Sequence, residues 1–176
     1  MSSSEIISSD IISSLYHKEI LGTTIFVKPK DINKNINKVI QKNLQDKVEG
    51  ICIKEGFIKP ESTRVISKTE GKMNIATFNG NIKYNIKYEA EVCNPMEDQI
   101  IDCIVADNNK SIISAYVEDQ DNSPLSIILA RQHHIGNKEF INLKNGDEIR
   151  VKIISKLFEF RDKQILVVCQ FLQKNN

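Results

Sequence analysis

Four cysteines and three histidines have the widest chemical repertoire in this chain, and their spacing decides what they could do. Cys52, Cys93, Cys103 and Cys169 form no Cys-x-x-Cys pair, and the histidines are His17, His133 and His134. Zinc sites need closely spaced ligand pairs, so no metal site is expected. Each cysteine sits in an apolar or alternating stretch, such as Ile51-Cys52-Ile53 or Val168-Cys169-Gln170, which fits buried, reduced thiols. A Cys–His nucleophile using His133 or His134, as in a small thiol hydrolase, lacks an orienting third group. The acids Glu118, Asp119 and Asp121 lie in Glu-Asp-Gln-Asp-Asn-Ser-Pro, a turn composition before it is a metal site. No phosphate loop, Gly-x-Ser-x-Gly elbow, His-Glu-x-x-His or EF-hand pattern occurs, so neither a cofactor nor a catalytic residue is expected.

The charge distribution is more informative. The net charge is only +1, which argues against a strongly electrostatic binder of nucleic acid or membrane. Residues 1–94 carry 14 basic and 11 acidic side chains, residues 95–130 only Lys110 against seven acids, and residues 131–176 nine basic against five acidic. A nucleic-acid strand would have to follow the basic side between Arg131 and Lys163. His133 and His134, beside Arg131 and Gln132, could stack on bases or bond phosphates there; a plain loop role is equally open.

The elements that must position these residues are mostly strands. A chain of 176 residues suits one large domain or two compact ones, and no apolar run reaches the ~18–20 residues of a membrane helix. The start, Met1-Ser2-Ser3-Ser4-Glu5, does not read as a secretory signal, and residues 1–15 read as a flexible tail. Glu19–Val27 is rich in β-branched residues and predicts a strand stopped by Pro29. Ile32, Ile36, Val39, Ile40 and Leu44 then mark one face of a helix, capped by Asp31 and ending near Lys47. Val48–Ile58 reads as a strand interrupted by Gly50 and Gly56, and further strands are expected over 63–68 and 72–78. Asn79-Gly80 is a hairpin turn before a strict alternation from Ile82 to Val92. Beyond Asn94-Pro95, five β segments follow, near 99–106, 112–118, 125–130, 148–156 and 164–172. That count and rhythm is that of an OB barrel, although a small open sandwich has similar spacing. Composition adds a genome signature: 29 Ile, 20 Lys and 17 Asn against 4 Arg and no Trp reflect AT-rich codons.

The ordered set of segments resembles a known family. Lys47-Val48-Glu49-Gly50-Ile51-Cys52 after the helix, Gly56-Phe57-Ile58, the run from Tyr84 to Val92, Pro95, Ile101-Asp102 and Gly146–Ile153 are similar to the seventh subunit of eukaryotic RNA polymerase II and to its archaeal counterpart. With the AT-rich composition, the expected source of such a subunit is a giant virus. The likeness covers roughly residues 18 to 172. The resemblance implies an α+β, mostly β chain: a tip domain over 16–94, with one helix on an antiparallel sheet, followed by a five-stranded OB barrel over 95–176. Its implied function is a noncatalytic stalk subunit of a DNA-directed RNA polymerase, acting in transcription and its initiation. The tip would dock on the polymerase core, at the clamp base of the largest subunit and a small assembly subunit, beside a fourth-subunit-like partner. Glu49, Gly50, Gly56 and Phe57 fall on the family's docking strand and loop. The barrel would meet single-stranded nascent RNA through Tyr116, Arg131, His133, His134, Lys152, Phe158, Arg161 and Lys163. The second barrel strand reads Ser114-Ala115-Tyr116, with one aromatic only. No membrane is implied; the setting would be the nucleus of a cellular host or, for a virus, the virion or cytoplasmic factory. A free-standing OB protein of translation or RNA decay is the other reading.

Overall fold

The computed structural model describes residues 15–32, 35–73 and 80–175. In chain order the elements are β1 (Tyr16–Val27), α1 (Ile36–Val48), β2 (Cys52–Ile53), β3 (Gly56–Ile58), β4 (Arg64–Lys68), β5 (Lys72–Met73) and β6 (Ile82–Cys93). Then follow β7 (Ile100–Asn108), β8 (Ile112–Tyr116), β9 (Leu125–Ala130), α2 (Lys138–Ile141), β10 (Glu148–Leu157) and β11 (Ile165–Lys174). The expected tail up to residue 14, the rest of the 72–78 strand and Asn79 lie outside the described residues.

Two compact units result. One combines residues 18–51 with 58–92; the other joins 15–17 and 52–57 to 93–175. A single division at residue 94 therefore does not describe the chain. The reason is packing: Cys52, Phe57 and Cys93 are buried in the same apolar cluster as the barrel interior.

In the first unit, β6 is the central strand. Its alternation buries Ile86, Tyr88, Ala90 and Val92 on one face, while β1, β4 and β5 pair with it. Arg64 of β4 lies opposite Glu89 and Lys72 of β5 opposite Lys83. The helix covers apolar residues with Ile40, Leu44 and Val48, all buried. It starts later than the sequence suggests. Pro29 opens a 3-10 turn that ends at Asp31, and Ile32 is extended, so Asp31 caps nothing. Asn35 is the N-cap residue, without a side-chain cap bond, and Ile32 is left 41% exposed.

The 48–58 segment is also not one interrupted strand. It folds back at Lys54-Glu55, pairing Cys52 with Phe57 and Ile53 with Gly56. Gly56 sits at φ 142°, a conformation that side chains with a Cβ rarely adopt, which lets the chain enter β3 directly from the turn.

In the second unit, β7 to β11 close into a barrel of order β7-β8-β9-β11-β10, with β10 returning to β7. Every pairing is antiparallel except β9 with β11, where Leu125 to Ile128 run parallel to Ile165 to Val168. This is OB topology. Period-2 alternation fills it: Ile101, Cys103 and Val105, then Ile113 and Ala115, Leu125, Ile127 and Leu129, Ile149, Val151 and Ile153, and Ile165, Val167, Cys169 and Phe171 are all buried. The short α2 supplies Phe140, 1% exposed, to the same cluster. Asn137 caps it by accepting from the Glu139 and Phe140 N–H groups. No helix among the described residues is long and apolar enough to cross a membrane.

Ile40 is 1% exposed at the centre of the helical stripe. Ile40→Ala should lower the stability of the first unit by about 2–5 kcal/mol, through lost burial and the cavity left behind. Chemical denaturation followed through the helical signal tests this. A midpoint equal to wild type would refute the packing.

Candidate nucleic-acid interface

An OB barrel usually receives ligands on its second and third strands and on the loops beside them. Here those strands are β8, Ile-Ile-Ser-Ala-Tyr, and β9, Leu-Ser-Ile-Ile-Leu-Ala, which carry no cation at all. Tyr116 is their one aromatic, half-buried and paired with Ile104 of β7. Any attraction for phosphate must come from the connections at the barrel ends.

Two of the four basic residues expected to form a face, Arg131 and Lys152, are engaged within the protein, as are their neighbours Arg150, Lys156 and Lys174. Arg150 lies opposite Asp102 across β7 and β10 and donates twice to its carboxylate, Nε at 2.7 Å and a terminal nitrogen at 2.9 Å. This hydrogen bonding holds the Asp102 carboxyl below its ordinary value. Lys152 pairs with Asp98 at 2.7 Å, and Lys174 with Asp147 at 2.8 Å. Lys156 Nζ donates to Asn94 Oδ1 and to the Pro95 carbonyl. Arg131 bonds the β7–β8 turn, Nε donating to Asn109 O at 2.8 Å and a terminal nitrogen to Asn108 Oδ1. Arg131 and Lys152 are thus braces as placed, not open phosphate contacts.

The two adjacent histidines divide. His133 is exposed, whereas His134 is 7% exposed and both its ring nitrogens are committed. Its Nε2 accepts from the Phe171 N–H at 2.8 Å, so Nδ1 carries the proton and donates to Ala130 O at 2.8 Å. Its ring stacks on Phe140 with centroids 4.2 Å apart. The expectation of an RNA contact at His134 is therefore corrected: it joins the end of β9, α2 and β11.

Phe158 packs partly buried against the barrel core, so it is no open platform either. The exposed aromatic of that turn is Phe160, 69% exposed, with the Arg161 guanidinium 5.7 Å from its ring centre. Arg161 and Lys163 are exposed, and Arg161 holds a φ of 76°. The turn is clamped on Cys52, whose N–H donates to Asp162 O at 2.7 Å while its carbonyl accepts from Arg161 N–H at 2.8 Å. Sequence reasoning chose Phe158 over Phe160. Both lie beyond the end of β10 at Leu157, where no strand alternation ranks one aromatic above the other.

The proposed docking set is built into the chain in a similar way. Glu49 accepts from the Glu61 N–H at 2.9 Å, the Thr63 N–H at 3.2 Å and the Thr63 hydroxyl, fixing the loop before β4. Gly50, at φ 69°, turns the chain so that its N–H donates to Ile58 O at 2.9 Å. Gly56 is buried, and Phe57 is 3% exposed inside the barrel unit's cluster. Phe57 therefore offers no side chain to a partner, and substituting it disturbs the core first.

All four thiols are buried. Burial pushes Cys52 up to about 11 and Cys93 and Cys169 to about 12, and raises Cys103 as well. The thiolate that nucleophilic chemistry needs is strongly disfavoured at each. Among the described residues no group of three or more His, Cys, Asp or Glu could hold a metal ion.

Two measurements probe this arrangement. Asp102 has a folded-state pKa below its unfolded one, so its pairing stabilises above about pH 4 and the contribution is lost as pH falls through the folded value. Arg150 is 37% exposed, so Arg150→Met should cost only about 1 kcal/mol at neutral pH. The gap from wild type should close on acidification, and a gap constant down to pH 2 would contradict the pairing. Separately, a thiol reagent at neutral pH should label none of the four cysteines until the protein is unfolded. Rapid labelling of the native chain would show that they are accessible.

No protein-family model matches this chain. It is similar to a protein of Acanthamoeba polyphaga mimivirus that is provisionally named a DNA-directed RNA polymerase subunit, L376. The two are 23% identical over 170 residues, spanning 90% of this chain and 83% of the relative. The likeness thus runs through both compact units.

Proposed function

We propose that this chain is a noncatalytic stalk subunit of a DNA-directed RNA polymerase. The observation that carries the reading is the extent of the match to the giant-virus polymerase subunit. It covers 90% of the chain and so takes in the helix-and-sheet unit together with the barrel. A free-standing OB protein would account for the barrel alone. The role in a polymerase is supported by that likeness; the place in the stalk rests on the resemblance of the ordered segments, including Glu49-Gly50 and Gly146 to Ile153, to the seventh-subunit family.

In this reading the unit of residues 18–51 and 58–92 docks on the polymerase core, at the clamp base and a small assembly subunit, and a fourth-subunit-like partner completes the stalk. The Glu49–Gly50 corner, held by the Glu61 and Thr63 bonds, presents backbone in a fixed shape for that contact. The barrel meets the emerging transcript. Buried, protonated thiols and braced cations suit a scaffold that binds without bond-making chemistry. The place of work would be wherever the polymerase assembles: the virion or cytoplasmic factory for a virus, the nucleus for a cellular host.

Affinity purification of the tagged full chain from cells in which it is naturally made tests the proposal. The expected result is co-elution, in near-stoichiometric amounts, with the large catalytic polymerase subunits. Elution alone, or with ribosomes or RNA-decay enzymes, would overturn it.

A further inference from the structure

Building on the RNA-contact reading, we infer that single-stranded RNA meets the barrel at the end formed by the β7–β8 and β9–β10 connections, not at the β10–β11 turn. The two connections are one structural body. Asn108 Nδ2 donates to Leu143 O at 2.6 Å, and Arg131 is bonded to Asn108 and Asn109 while its N–H donates to Ser111 O at 3.1 Å. Gly146 N–H donates to Val105 O at 2.8 Å and Val105 N–H to Asp147 O at 2.9 Å.

Charge separates the two ends. Residues 117–124 and 157–164 carry two cations, Arg161 and Lys163, against five carboxylates, Glu118, Asp119, Asp121, Glu159 and Asp162. Five carboxylates around two cations repel a phosphate chain, whatever Phe160 offers for stacking. At the opposite end, residues 107–111 and 131–148 carry Lys110, Arg131, Lys138 and Lys144 against Asp107, Glu139, Asp147 and Glu148. Asp147 is ion-paired with Lys174 at 2.8 Å and accepts from the Lys144 N–H at 2.8 Å, and these bonds, with the charges of Lys174 and Lys144, hold its carboxyl below its ordinary value. Asp107 accepts from Asn109 Nδ2 at 2.8 Å.

Lys110, Lys138 and Lys144 are exposed, and their ammonium groups have no ion pair or hydrogen bond among the described residues. His133, exposed on the same connection, adds a flat ring, and imidazole is one of the surfaces on which unstacked RNA bases settle. Gly136, with nothing within 4 Å of the position a Cβ would take, leaves the backbone open to close approach beside it. Three exposed lysines on these bonded connections, one of them (Lys144) also attracted by Asp147, make a modest phosphate contact, with a log–log salt slope of about −0.7 for each phosphate neutralised.

The test is fluorescence anisotropy of a labelled oligouridylate of about 20 nucleotides, long enough to span an OB site, titrated with the full chain at several salt concentrations. Two charge reversals are compared, Lys138→Glu with Lys144→Glu, and Arg161→Glu with Lys163→Glu. The first pair should weaken binding at least about tenfold and flatten the salt slope by about one unit, since two phosphate contacts become repulsive. Lys138→Gln with Lys144→Gln should lose less and keep the same melting temperature as wild type. The second pair should leave affinity within about twofold, as expected of a region already repulsive to phosphate. Loss with the second pair and not the first would place RNA at the β10–β11 turn and overturn the inference. Equal binding by all variants would place it elsewhere and overturn it too, leaving the RNA-contact reading intact. Wild type with no measurable binding at low salt would overturn both, while the polymerase assignment would still rest on co-purification.

Discussion

Closure of the barrel is the constraint on which the second unit depends. Strand β7 must pair with β8 on one edge and with β10 on the other, which leaves β11 to lie between β9 and β10. That order forces one parallel contact, β9 with β11, into an otherwise antiparallel barrel. It also fixes which face of every strand looks inward, because a one-residue slip in any ladder would turn its whole apolar set outward. The burial of the alternating side chains, from Ile101 on β7 to Phe171 on β11, would be lost with that register.

The closing seam explains part of the charge pattern. In the sequence, the acids of 95–130 and the bases of 131–176 look like two separate patches, and separate patches suggest a binding face. OB order sets the first barrel strand against the fourth, so Asp102 meets Arg150, and Asp98, just before the first strand, meets Lys152. The Asp102–Arg150 part of that segregation is cross-strand complementarity written 48 positions apart in the chain. A half-exposed pair of this kind adds little stability, but like charges at the same positions would oppose the closing register. Its larger effect is on specificity of pairing.

How much was legible follows from which signals are local. The helix face, the β6 alternation and the five barrel segments all repeat within a dozen residues, and the structure places elements at each of them. Asp31 failed as a cap because Pro29 closes a turn first, a competition that residue preference alone does not rank. The 48–58 segment failed because a two-residue turn at Lys54-Glu55 carries no Gly or Asn; the glycine enabling it, Gly56, sits one position beyond. The site was less readable still. Whether Arg131 faces solvent or grips Asn108 is decided by a contact 23 positions away, and whether His134 or His133 is available depends on the Phe171 N–H, 37 positions away. Residue type proposes a chemistry; only the fold says which groups are still unoccupied.

Those internal contacts limit what kind of binder the barrel can be. A protein that commits Arg150, Lys152, Lys156, Lys174 and Arg131 to its own framework has few cations left for a ligand. Any intrinsic grip on RNA would then be weak and tolerant of sequence, since β8 and β9 offer neither cations nor a row of aromatics. Weakness of this sort is a defect in a free RNA-binding protein, which must find its target from dilute solution. It suits a subunit tethered beside the exit of a transcript, where linkage raises the local RNA concentration to roughly millimolar. A contact that releases easily at each added nucleotide then guides the chain without arresting it. The braced barrel and its small reserve of open lysines therefore fit a polymerase-bound role better than an independent one.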